Sequence, residues 1–269
     1  MNQAASAAAP WIERLARLGY ASKGLVYTII GGLTAAAAFG RRGTDSDSNA
    51  AFRFILEQPF GRVLILVVAL GLLGYAAWRI IAAITDGERR GSDAKGMAIR
   101  AGSFFRGVVY VFLTIEAARL AMGGSGGGDS DQSTEHWIAR LMAAPFGRWL
   151  VVIAGAGVAG YGVYQLYRAW HSKLGKQVRL TWVTAEFKRR IVAISRFGIA
   201  ARAVVFLLIG YSIARAAWNR SPGEAQGTGE SLQQIGAISQ WLLAVVAIGL
   251  IAYGIYQFVN ARYRAIAAV

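Results

Sequence analysis

Residues 59–80 read PFGRVLILVVALGLLGYAAWRI, and residues 145–166 read PFGRWLVVIAGAGVAGYGVYQL. Both open on the same four-residue corner, run through an apolar stretch, and reach a tyrosine followed four residues later by Arg79 or Gln165. A stretch of this length crosses the ~30 Å hydrocarbon core of a bilayer as a helix. It lacks the period-two alternation of a half-buried strand. Gly249 to Gln257 matches Gly71 to Arg79 and Gly157 to Gln165 in the pattern G-x-x-[GA]-Y-x-x-[WY]-[RQ], with Gln240-Trp241 where Arg148-Trp149 stands. The chain therefore writes the same outbound helix three times.

The inbound helices repeat as well. Arg17, Gly19, Lys23 and Tyr27 align without gaps with Arg100, Gly102, Arg106 and Tyr110, and with Arg196, Gly198, Arg202 and Phe206. The shared pattern is R-x-G-x-x-x-[KR]-[GA]-x-V-[YF]. Three tandem two-helix hairpins follow. Each crosses the membrane twice, so all enter in the same orientation, as parallel repeats about an axis along the membrane normal. The expected fold is an all-α integral membrane six-helix bundle made of three parallel two-helix repeats, pseudo-threefold. Its parts are a short tail (1–10), repeat 1 (11–90), repeat 2 (91–176) and repeat 3 (177–269). PFGR reads as the re-entry corner, with proline in a first helical turn where its missing N–H costs nothing. Ala51–Gln58 and Glu135–Ala144 mix aromatic, aliphatic and charged residues and read as interfacial helices before each corner. Gly123–Gly128 reads as a flexible linker.

Composition agrees. Of 269 residues, 55% are hydrophobic and 16% charged, and mean hydropathy is +0.41. Soluble domains carry about a quarter charged residues. The net charge of +15 does not point to nucleic acid, because of where it sits. Twenty of the 29 Lys and Arg fall on the side of the termini and of loops 79–106 and 165–202, and nine on the other. The positive-inside rule then places both termini in the cytoplasm. The inner charge, including Lys188-Arg189-Arg190, suits anionic lipid headgroups at roughly 1 kcal/mol per basic residue, so the expected partners are membrane lipids. Residues 1–10 contain no Lys or Arg, so a secretory n-region is missing and the first apolar run reads as a mature helix. The chain has no cysteine, which excludes disulfides and thiolate chemistry.

The motifs place polar groups at membrane depth. Lys23, Arg106 and Arg202 hold one equivalent position per repeat. They read either as side chains snorkelling to inner headgroups or as a basic ring facing the axis and holding an anion. Tyr75 with Arg79, Tyr161 with Gln165, and Tyr253 with Gln257 are each four apart, on one helix face. They read as an inner aromatic belt with Trp78, Tyr164 and Tyr256, or as the lining of a cavity beside the ring. Glu116 is the acid within an apolar run, where Leu33 and Ser212 stand in the other copies. It reads as an ion pair with Arg119 at i+3, or as an ion or proton site. The dense glycines and alanines suit close helix approach. The two histidines, His136 and His171, fall on opposite faces of the membrane, and no serine–base or recurring carboxylate pair appears. No enzyme, cofactor or metal site is expected.

The paired motifs, the PFGR corner and the three tandem units resemble the bacterial membrane proteins grouped as domain-of-unknown-function family 1206. The resemblance runs from about Trp11 to Tyr263. It rests on Arg17, Gly19, Lys23, Pro59, Phe60, Gly61, Arg62, Gly74 and Tyr75 with their later counterparts. It implies a small multi-pass protein of the bacterial inner membrane and carries no established activity. Ala203 in place of a glycine and the absence of PFGR from copy three are departures, so the third outer corner is expected to be built differently. The functional expectation is transport or binding of a small anionic or amphipathic ligand or lipid at the basic ring. The alternative is a structural or accessory membrane protein with a packed core.

Overall fold

The computed structural model describes residues 3–39, 47–86, 91–123, 130–171 and 185–263. Most of the glycine linker, and residues 172–184 of the basic loop, lie outside these. Nine α-helices and one 3₁₀ turn make up the described chain, with no strand among the described residues. Six helices are long: α1 (Gln3–Ala38), α3 (Gly61–Ile84), α4 (Ala94–Ala121), α6 (Gly147–His171), α7 (Ala185–Asn219) and α9 (Gln240–Tyr263). Three are short: α2 (Ser48–Leu56), α5 (Ser130–Ala143) and α8 (Thr228–Ile238). All long helices except α1 are long and apolar enough to span a bilayer. In α1, Lys23 and the neighbouring polar Ser22, Thr28 and Thr34 dilute the apolar run. The protein is a multi-pass, all-helical membrane protein.

α1 begins at Gln3, within the stretch that the sequence assigns to a tail. α7 begins at Ala185, so Lys188, Arg189 and Arg190 ride its first turns, where Arg190 Nη2 lies 2.6 Å from Glu186 Oε1.

The inbound helix of each repeat packs on the outbound helix of the repeat before it: α4 on α3, α7 on α6, and α1 on α9, which closes the circle. The arginine that opens the inbound motif fixes this pairing. Arg17 Nη1 donates to Ala261 O (3.0 Å) and Arg262 O (2.6 Å) at the end of α9. Arg100 donates to Ala83 O and Ile84 O at the end of α3, both at 2.8 Å. A cation on the last carbonyls of a helix both satisfies them and complements the dipole. Within repeats, α1 packs on α3 and α7 on α9, but α4 and α6 are not packed against each other.

The short helices lie at the PFGR end. Two occur where the sequence predicts interfacial helices. α2 tucks Ala51, Phe52 and Ile55 into the main core with Ile65 and Leu72. α5 sends Ile138 against Val151, Ala216 and Ala217.

The corner itself differs from the expectation. Pro59 precedes α3 instead of entering its first turn. Gly61 N–H donates to Gln58 O (2.8 Å), and Gly147 N–H to Ala144 O (2.8 Å). Phe60 and Phe146, at φ 61, are left-handed. Proline second and a left-handed residue third is the type II pattern. A Cβ on Gly61 would run into Leu56 O, and one on Gly147 into Leu141 O, so both glycines are sterically required. The third corner is indeed different: α8 precedes it, and the single extended residue Ser239 leads into α9.

Candidate functional site

One cavity of about 30 Å³ lies where the six long helices converge, at the end opposite the corners. That volume holds about two waters. The nine residues of the ring and its tyrosine–polar pairs all line it: Lys23, Arg106 and Arg202, then Tyr75, Tyr161 and Tyr253, then Arg79, Gln165 and Gln257. Lys23 is 4% exposed and Arg202 7%, so neither snorkels. Arg106 is half-buried. Tyr75, Tyr253, Trp78 and Tyr256 are buried inside the bundle, whereas Tyr164 lies on the outside.

The repeat dictates the geometry. Each basic residue sits over the tyrosine of its own hairpin: Lys23 Nζ is 4.0 Å from the Tyr75 ring centre, Arg202 Cζ 4.8 Å from Tyr253, and Arg106 Cζ 5.6 Å from Tyr161. Each tyrosine is then met edge-on by the last aromatic of the neighbouring inbound motif. Tyr110 meets Tyr75 at 4.8 Å, Tyr27 meets Tyr253 at 4.7 Å, and Phe206 meets Tyr161 at 5.5 Å. A desolvated cation over an aromatic face gains about 2 kcal/mol, which offsets part of the cost of holding charge at membrane depth. Hydrogen bonds add to this. Arg202 Nε donates to Tyr27 Oη (2.8 Å), and Arg79 Nε to Tyr75 Oη (3.0 Å). Arg106 donates to Gly102 O (2.9 Å) and Ser103 Oγ (3.0 Å).

Tyr20, Tyr110, Arg168 and Asn260 also line the cavity, and the sequence reading did not single them out. A signal was present for three of them. Tyr110 occupies the last position of the inbound pattern, and Arg168 and Asn260 lie seven residues after Tyr161 and Tyr253, two turns along the same helix face. The lining thus holds five cations, Lys23, Arg79, Arg106, Arg168 and Arg202, and no Asp or Glu among the described residues. Three of its buried amides also keep an unpartnered polar atom: Gln165 Nε2, Gln257 Oε1 and Asn260 Oδ1. Buried polar atoms of this kind are rare and costly unless something in the cavity meets them. The arrangement is a positive, aromatic-walled cup with one free amide donor, Gln165 Nε2, and two free amide acceptors, Gln257 Oε1 and Asn260 Oδ1; its excess of cations suits a small oxyanion.

Glu116 stands apart. Its Oε1 pairs with Arg119 Nη1 at 3.2 Å, with Arg119 exposed, and it does not line the cavity.

The repeat positions agree with comparison to known proteins. A family model described as "Domain of Unknown Function (DUF1206)" matches residues 18–86, 101–172 and 197–264. The chain is 31% identical over 261 residues to "Uncharacterized protein YxxB" of Bacillus subtilis (strain 168), covering 95% of this chain and 92% of that protein. No solved structure matches.

Proposed function

We propose, from the premise that the chain belongs to the DUF1206 family and inherits no assigned activity from it, that this membrane protein binds a small anionic group in its basic cavity. The observation that carries the reading is the convergence of five cations from five helices on one small space, without an acid among the described lining residues. Attraction to an anion is stronger in such a low-dielectric space than in water. The donors present, guanidinium, ammonium and amide, suit phosphate-type oxygens. The role is binding or transport, without catalysis. The membrane is a bacterial inner membrane, with the cavity on the cytoplasmic half.

Purified protein titrated with inorganic phosphate should gain thermal stability as a bound ligand demands, and vesicles containing phosphatidylglycerol should do the same. A melting midpoint indifferent to both would remove the binding reading and leave a scaffold.

Orientation is tested separately. The chain has no native cysteine, so single-cysteine labelling is clean. Ser125→Cys should react with an impermeant thiol reagent from outside, and Ser92→Cys, at an exposed position before α4, only after permeabilisation. The reverse pattern would invert the topology.

A further inference from the structure

The two closed hairpins show what the middle one lacks. In repeat 1, a Cβ on Gly19 would lie 2.5 Å from Tyr75 Cβ and 2.7 Å from Gly71 O, and in repeat 3 one on Gly198 would run into the Tyr253 backbone. On the equivalent Gly102 it meets nothing within 4 Å. The outbound wall agrees. Gly71 abuts Ser22 and Gly249 abuts Ala201, while Gly157 and Gly160 face open space. Likewise Trp78 and Tyr256 are 4% and 6% exposed, and their counterpart Tyr164 is 48% exposed. The pseudo-threefold ring is therefore broken at one seam, between α4 and α6.

The sequence builds this break. The side chain that faces the partner glycine is Ser22 in repeat 1 and Ala201 in repeat 3, and each fills the contact. Repeat 2 carries Phe105 at that position. A phenyl ring does not fit a contact that a hydroxymethyl or methyl already saturates, so the two backbones stand apart. At its inner end the seam reaches the cavity-lining Arg106 of α4 and Tyr161 of α6, whose guanidinium and ring lie 5.6 Å apart. One turn beyond Tyr161, the buried Gln165 holds its unpartnered Nε2 at the cavity.

Resting on the anion-binding reading above, we propose that the α4–α6 seam is a lateral portal through which the cavity takes the phosphate headgroup of an anionic membrane lipid. The acyl chains would lie in the seam beside Phe105, Val109 and Ile153, all exposed apolar side chains. A phospholipid matches both ends of this path, apolar along the seam and anionic at the cations. A second copy of the chain would cover the seam but bring no charge to its inner end.

The test plugs the seam without touching the cavity. Gly157→Leu and Gly160→Leu place their side chains in open space. In nanodiscs of phosphatidylcholine with phosphatidylglycerol, wild type should retain phosphatidylglycerol through mild extraction, read by native mass spectrometry. The plugged variants should retain at least tenfold less, while stabilisation by inorganic phosphate stays as in wild type. Phe105→Ala, which lets the seam close as in repeat 3, should lose the lipid in the same way without added bulk. Equal retention in the plugged variants would overturn the portal. Phosphate binding by wild type without lipid retention would identify a free anion as the ligand, and would overturn the portal alone. Binding of neither would overturn the anion-binding reading as well. A disulfide-linked dimer of Phe105→Cys in native membranes would assign the seam to a second copy and overturn the lipid.

Discussion

Gly19→Ala and Gly198→Ala are expected to destabilise the protein by about 1–3 kcal/mol each, the range for overpacking a close contact, while Gly102→Ala is neutral or slightly stabilising. The three glycines hold one position of one repeated motif, so sequence alone ranks them equal. The structure separates them. At Gly19 and Gly198 the added methyl meets backbone atoms of α3 and α9, which cannot swing aside as a flexible side chain can. Relief requires the helices to part, and α1–α3 and α7–α9 are the two seams that hold hairpins together. At Gly102 the methyl meets nothing, and alanine gains about 0.5–1 kcal/mol of helix preference. Thermal unfolding of the three variants in one detergent decides the matter. Three equal losses would mean that the middle seam closes in the membrane, and that the portal does not exist.

The contrast also shows what the residues alone could carry. The hairpins were legible because each was written three times, and duplication exposes the positions under constraint. The ring residues were legible for the same reason: a lysine or arginine recurring at one register of an apolar helix is costly three times over. Which way they point was not. A helix presents a residue to lipid or to a neighbour according to how the helices cross, and no single motif states the crossing. Lys23 meets Tyr75, more than fifty positions away in sequence, because Gly19 and Gly71 bring α1 and α3 together. The i+7 positions Arg168 and Asn260 could have been read, since two helical turns return to nearly the same face. The break in symmetry had one sequence sign, Phe105 between Ser22 and Ala201, whose meaning depends on knowing that the position faces a glycine across a seam. The third corner kept no PFGR, so its helix α8 had no motif to announce it.

The second large effect is expected at the cavity cations. Arg202→Gln should weaken phosphate binding by about 1–3 kcal/mol, the range for a charge-assisted hydrogen bond, or roughly 5–150-fold. Lys23→Gln and Arg106→Gln, at the equivalent positions, should fall in the same range. Arg215→Gln is the control. Its Nε pairs with Glu224 Oε2 at 3.1 Å with the arginine more than half exposed, where a salt bridge contributes little. Arg89 lies outside the described residues and is the less informative comparison. A packing role for Arg202 makes a different prediction from a binding role. The side chain donates to Tyr27 and lies against Phe206 and Tyr253. If its purpose is to hold those rings, glutamine lowers the melting midpoint with and without phosphate. If its purpose is to hold an anion, the ligand-free midpoint rises on losing a buried, like-charged neighbour of Lys23, while the phosphate-dependent rise in midpoint shrinks with the weakened binding. The two outcomes have opposite signs in the ligand-free protein, so a single pair of melting curves separates them.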